Sequence, residues 1–186
     1  MPPTVAIIGA GPLGRWLALT AARAGFPVFL EDVMPGNLHH AQEILRQQFN
    51  PAALGFEPSS PAASPIIFVS TIEDAVREAD LVIDCVPDEL ESKLEILWLL
   101  DRMAPPRTVL ATPTMRLSIT DLAACTYRPE KCIAIAAKAS ALTGNLASEI
   151  LLRTTPLTTP ETVALLRDFW HQLGFSPAFE PDSTVD

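Results

Sequence analysis

At 186 residues the chain can bury one good core and would be tight for two full domains. Its 48% hydrophobic and 19% charged content excludes a disordered chain. Its net charge of −9, with no cluster of Lys or Arg, speaks against nucleic acid and anionic membrane as partners, since both reward grouped cations.

The first predicted element is a strand over Val5–Ile8, four apolar residues in a row, the pattern of a strand buried on both faces of a parallel sheet. Gly9-x-Gly11-x-x-Gly14 follows, and then a helical run to about Ala24. A glycine lets the chain turn out of the strand, a second lets the backbone approach a pyrophosphate, and a third lets helix and strand pack closely. The helix start, with Pro12 and Leu13 between the glycines, offers free N–H groups and partial positive charge to phosphates. Gly25 ends the helix.

A second strand covers Pro27–Glu31 and closes on Asp32, eighteen positions beyond Gly14, about where a carboxylate meets an adenosine ribose. A carboxylate accepts both ribose hydroxyls. The extra phosphate of NADP would face Asp32 and Glu31, and no Lys or Arg lies in Val33–Leu38 to neutralise it. The expectation is therefore NAD(H) in preference to NADP. Nothing else in the chain asks for FAD.

Pro35 opens a helix to about Phe49, and the Pro-, Ala- and Ser-rich stretch 50–65 reads as a loop. Strand Ile66–Ser70, helix Thr71–Glu78 and strand Leu81–Cys85 come next. The helix Asp88–Met103 should pack through Leu90, Leu94 and Leu97, with Asp88, Glu89 and Glu91 in its first turn. Strand Thr108–Ala111 precedes a capping box, Ser118–Asp121, which opens a short helix. Further strands are expected at Lys131–Ala137, Glu149–Arg153 and Phe175–Phe179, with a helix from Thr159 to Gly174 before the last. The alternation argues a Rossmann-type, doubly wound, mainly parallel α/β sheet, one domain over residues 1–186 with no second domain. In that fold, ligands lie at the carboxyl ends of the strands, which adds the turn Val86-Pro87-Asp88 to the candidate contacts.

Cys85, Cys125 and Cys132 form no CxxC pair and no metal spacing, so no metal site is expected and the thiols read as reduced. His39, His40, His171 and Tyr127 read as surface residues. No apolar run approaches the ~20 residues that span a bilayer, and the first helix carries Arg15 and Arg23, unlike a signal peptide. A cytoplasmic location is expected by default.

Val5–Asp32, Thr71–Lys93, Leu117–Ala123 and Arg128–Lys131 together resemble the NAD-binding domain of 3-hydroxyacyl-CoA dehydrogenases, enzymes of fatty-acid metabolism. The resemblance implies that Asp88 and Lys93 help to hold the nicotinamide half of the cofactor. It also exposes departures. Where the family has Asn-Thr-Ser-Ser, this chain reads Pro113-Thr114-Met115-Arg116, with Met115 in the place of the serine that meets substrate and cofactor. The family's acid/base histidine, in His-Phe-Phe-Asn-Pro, is replaced by Ala136, and its asparagine by Ala139. Glu149 stands one position from the glutamate that orients that histidine. The proline-rich stretch replaces a basic arm that grips CoA, and the family's all-helical second domain has no counterpart here.

Three readings remain open on this basis. One is an NAD(H)-binding protein with the family's catalysis lost or weakened, a sensor or subunit. The second is an active NAD-dependent oxidoreductase on a small hydroxy acid or hydroxyacyl-CoA, with another base, Lys138 being nearest, or a partner chain completing the site. The third is a remnant that has lost the cofactor too. Apolar surface left bare by the missing helical domain makes a homodimer or a partner subunit an expectation.

Overall fold

A computed structural model describes residues 1–49, 64–137, 142–143 and 149–182. Most of the loop at 50–65 therefore lies outside the described residues, as do Lys138 and Ala139. One sheet runs through the described residues in the order β3-β2-β1-β4-β5-β6-β7-β8. Its strands are β1 (Val5–Ile8), β2 (Val28–Glu31), β3 (Ile66–Val69), β4 (Leu81–Asp84), β5 (Val109–Pro113), β6 (Cys132–Ile135), β7 (Glu149–Thr154) and β8 (Ser176–Pro181). Every pairing is parallel except β6 with β7, where Ile135 faces Leu152. The order reverses at β1, between β2 and β4, which is the switch point of a Rossmann-type sheet.

Among the described residues the two faces are covered by helices α1 (Pro12–Arg23), α2 (Pro35–Phe49), α3 (Ile72–Val76), α4 (Leu90–Met103), α5 (Ile119–Ala123) and α6 (Pro160–Gln172). The alternate side chains of each strand feed two cores. Val5, Ile7, Val28, Leu30, Leu81 and Ile83 pack against α1, α2 and α6, where Trp170 and Phe169 are fully buried. Ala6, Ile8, Val82, Leu110 and Ala134 pack against α3, α4 and α5.

Helix ends follow local chemistry. Thr71, Ser118 and Thr159 cap α3, α5 and α6 by accepting the backbone N–H of Asp74, Asp121 and Thr162. Gly25, at φ 94°, ends α1 in a Schellman turn: Phe26 N–H donates to Ala21 O and Gly25 N–H to Ala22 O.

Two expectations need correction. Helix α4 begins at Leu90, because Asp88 is drawn away to the neighbouring turn and Glu89 is its cap. Leu90 is half exposed, and the buried stripe is Lys93, Ile96, Leu97 and Leu100. Lys131 likewise falls in a 3-10 turn (Pro129–Lys131) ahead of β6.

Candidate cofactor site

The carboxyl ends of β1, β2, β4 and β5 meet at one edge of the sheet. β1 stops at Ile8, and Gly9 turns the chain with φ 103°, a conformation that L side chains rarely adopt. The turn stays tied to both neighbours: Gly9 N–H donates to Glu31 O at 2.8 Å, and Cys85 N–H to Ile8 O at 2.7 Å.

The other two glycines answer different demands. A Cβ on Gly14 would stand 1.9 Å from Gly9 O, so helix and turn touch there and nothing larger fits. A Cβ on Gly11 would meet no protein atom within 4 Å, and its φ of −67° suits any residue. The chain's own packing therefore does not require glycine at Gly11, and the space beside it is open. Gly11 caps α1 without a side-chain hydrogen bond, Pro12 follows at the first position, and the first helical bond is Arg15 N–H to Gly11 O. The amides of Leu13 and Gly14 are left without intrahelical acceptors, pointing out of a positive helix end. This open cradle fits a dinucleotide's pyrophosphate.

Asp32, 8% exposed, lies beside the cradle. Its Oδ2 accepts Ala10 N–H at 2.9 Å and its Oδ1 accepts Met34 N–H at 2.9 Å, while the Asn37 amide donates to both at 3.3–3.4 Å. The two contacts to Asn37 are long, and they are the ones that ribose hydroxyls would displace. Glu31, next to it, is 3% exposed. Burial first, and the neighbouring Asp32 charge second, push its carboxyl up to about 7.

Beyond β4, Asp88 Oδ2 accepts Met115 N–H at 3.1 Å, joining the Val86-Pro87-Asp88 turn to the turn after β5. Its Oδ1 is buried with no partner. A buried carboxylate oxygen without a donor is costly and fits a ligand hydroxyl. Lys93 is fully buried, with Nζ 2.6 Å from Asp84 Oδ1. Asp84, also fully buried, is raised by burial, an effect that the Lys93 charge opposes. The Thr112 hydroxyl and the Val86 N–H also act on the Asp84 carboxylate, against the cost of its burial. Lys93, expected to help hold the nicotinamide half, is thus bonded to the end of β4.

Met115 is 45% exposed at the end of β5. Ala136 follows β6, its N–H donating to Leu151 O at 2.8 Å, and Glu149 is exposed at the start of β7. No local pattern in the residues marks the two braces here. Arg153 Nη2 donates to Thr114 O at 2.8 Å, and Asp182 Oδ2 accepts from Ser118 Oγ at 2.7 Å and Thr120 N–H at 2.9 Å. Those bonds hold the Asp182 carboxyl below the usual range against the cost of its burial. No group of three or more potential metal ligands occurs among the described residues, and none of their helices is long and apolar enough to cross a membrane.

The family described as "3-hydroxyacyl-CoA dehydrogenase, NAD binding domain" matches residues 4–179. A probable 3-hydroxybutyryl-CoA dehydrogenase of Bacillus subtilis is 37% identical over 133 residues, 69% of this chain and 46% of its own length. A 5-formyl-3-hydroxy-2-methylpyridine 4-carboxylate 5-dehydrogenase of Mesorhizobium japonicum is 30% identical over 93% of this chain and 55% of its own. The chain thus spans about half the length of these relatives. Among solved structures, an NAD+-dependent enzyme of the latter activity superposes with a TM-score of 0.82 at 30% identity, covering 98% of this chain and 59% of the other. A 3-hydroxybutyryl-CoA dehydrogenase of Escherichia coli superposes with a TM-score of 0.86 at 26% identity, over 98% and 39%.

Proposed function

The chain belongs to the 3-hydroxyacyl-CoA dehydrogenase family through that family's NAD-binding domain, and from this premise we propose that it binds NAD(H) in preference to NADP with the family's own catalysis lost or weakened. The pyrophosphate rests on Gly9, Gly11, Pro12, Leu13 and Gly14. Asp32 takes the adenosine ribose, and Val86, Pro87 and Asp88 line the nicotinamide half. Lys93 acts from below, through Asp84. Residues 1–186 serve as one domain.

The observation that carries the reading of catalysis is Ala136 at the end of β6, a methyl group where the family's histidine would stand. Bound NAD accepts a hydride. Oxidation of an alcohol also needs a base to take the hydroxyl proton, and a positioned base is worth about 10²–10⁴ in rate, or about 3–5 kcal/mol. Alanine supplies none of it. NADH formation measured with a panel of short 3-hydroxy acids and their CoA esters tests this: the reading expects binding without appreciable turnover.

A second reading is favoured by the relatives, whose names are those of dehydrogenases. In it the protein oxidises a small hydroxy acid or hydroxyacyl-CoA, with Lys138 as base or a partner chain completing the site. Robust turnover that Lys138→Ala abolishes would establish it; turnover unchanged by Lys138→Ala would remove Lys138 from the account. The protein is read as cytoplasmic. Val33, Met34 and Met115, exposed around the site, support a homodimer or partner subunit covering this edge, which sizing would reveal.

A further inference from the structure

We propose that Glu31 reads the base of the bound dinucleotide: its carboxyl, in the neutral form, pairs with the edge of adenine that carries the amino group and the adjacent ring nitrogen. The inference rests on the NAD(H) reading above and deepens it. Asp32 turns its carboxylate toward the glycine turn, bonded to Ala10 N–H. Glu31, one residue earlier on the strand, faces the opposite side of the sheet. There it lies level with Ile8 of β1 and Val69 of β3, on the face whose partly buried apolar side chains include Phe29, Ile72 and Val86. It is 3% exposed, and its carboxyl oxygens make no hydrogen bond among the described residues. A mostly buried carboxyl with no partner among the described residues, its oxygens still open to solvent, suits the polar edge of a flat heterocycle lying on apolar side chains. A ribose held at Asp32 carries its base directly on the sugar ring.

The pairing needs a donor and an acceptor together. A protonated carboxyl has both, its O–H donating to the ring nitrogen and its C=O accepting from the amino group; a carboxylate has only acceptors. The surroundings favour the neutral form. The neighbours on β1 and β3 are the apolar Ile8 and Val69. Asp32 repels a second negative charge. From α3, packed against β2, the charges are Glu73 and Asp74, the latter paired with Arg77 at 2.8 Å on the surface. Asp84, further along the same layer, is paired with Lys93. Burial and Asp32 hold the Glu31 carboxyl at about 7, so its neutral form is available near neutral pH.

Calorimetric titration of the whole chain with NAD, at pH 6 and pH 8.5 and in two buffers of different ionisation enthalpy, tests this. The expected result is affinity falling about tenfold or more between the two pH values, with uptake of close to one proton per NAD at pH 8.5. Glu31→Gln, whose amide also offers donor and acceptor, should bind as tightly as the wild type at pH 6 and lose the pH dependence. Glu31→Leu should bind several-fold more weakly at pH 6. Wild-type affinity equal at both pH values without proton uptake would overturn the proposal, and so would Glu31→Leu binding as tightly as Glu31→Gln. Absence of any binding by the wild type would bring down the cofactor reading itself, and this inference with it.

Discussion

The Oδ2 of Asp32 accepts the backbone N–H of Ala10 at 2.9 Å, so the carboxylate at the end of β2 is bonded to the glycine turn at the end of β1. A pyrophosphate on the turn and a ribose on the carboxylate would meet groups already fixed to each other, with little left to order on binding.

Asp32→Ala removes the ribose acceptor and the bond to Ala10. A hydrogen bond to a charged group is worth about 1.5–3 kcal/mol. NAD affinity should therefore fall by about one to two orders of magnitude, and discrimination against NADP should shrink with it. Fluorescence titration of NADH and NADPH against both proteins measures this.

Two neighbouring glycines should separate packing from binding. Gly14→Ala forces a Cβ to within 1.9 Å of Gly9 O and should destabilise the fold by about 1–3 kcal/mol or more. Gly11→Ala meets no protein atom, so stability should hold within about 0.5 kcal/mol while NAD affinity drops. Urea denaturation and NAD titration of both variants check the contrast.

The Lys93–Asp84 pair is buried completely on both sides. Lys93→Met leaves Asp84 without its counter-charge in the core, which should cost up to about 3–5 kcal/mol; Asp84→Leu with Lys93→Met should recover most of that loss. Thermal unfolding of the single and double variants decides. Equal losses in both would mean that the lysine stabilises by something other than neutralising Asp84.

Much of this was legible in the residues. Strands β1, β2 and β4 announce themselves as short apolar runs, and Gly25 and Gly174 as helix stops, because backbone geometry there depends on one or two local residues. The charged core was not. The resemblance marks Lys93 as a cofactor contact, and nothing local in the residues shows that its Nζ is buried against Asp84. The α4 start was misplaced for a similar reason: Asp88 is an ordinary first-turn acid until the backbone of Met115, 27 residues away, claims it. The Arg153 and Asp182 braces depend on contacts across 39 and more than 60 residues, which no local pattern encodes. Glu31 was visible as a charge, but its burial follows from β3 covering the far side of β2.

Glu31 should also mark the stability curve. Its carboxyl titrates at about 7 in the folded chain against 4.5 unfolded, so the folded state holds the proton more tightly. Stability is then highest below pH 4.5 as far as this group is concerned, falls as pH rises toward 7, and levels off above it. The loss is at most about 3 kcal/mol. Glu31→Gln should be more stable than the wild type at pH 8 and equal at pH 4; chemical denaturation at both pH values measures it, and parallel curves would contradict the assignment.

The central claim is that a nicotinamide dinucleotide lies across the ends of β1 and β2, its phosphates on the first helix and its adenosine sugar on Asp32. Calorimetric titration of the wild-type chain with NAD and with NADP at pH 6.5 tests it most directly. Saturable heat with NAD, and at least tenfold weaker binding of NADP, is the predicted result. No heat with either dinucleotide at millimolar concentration would contradict it.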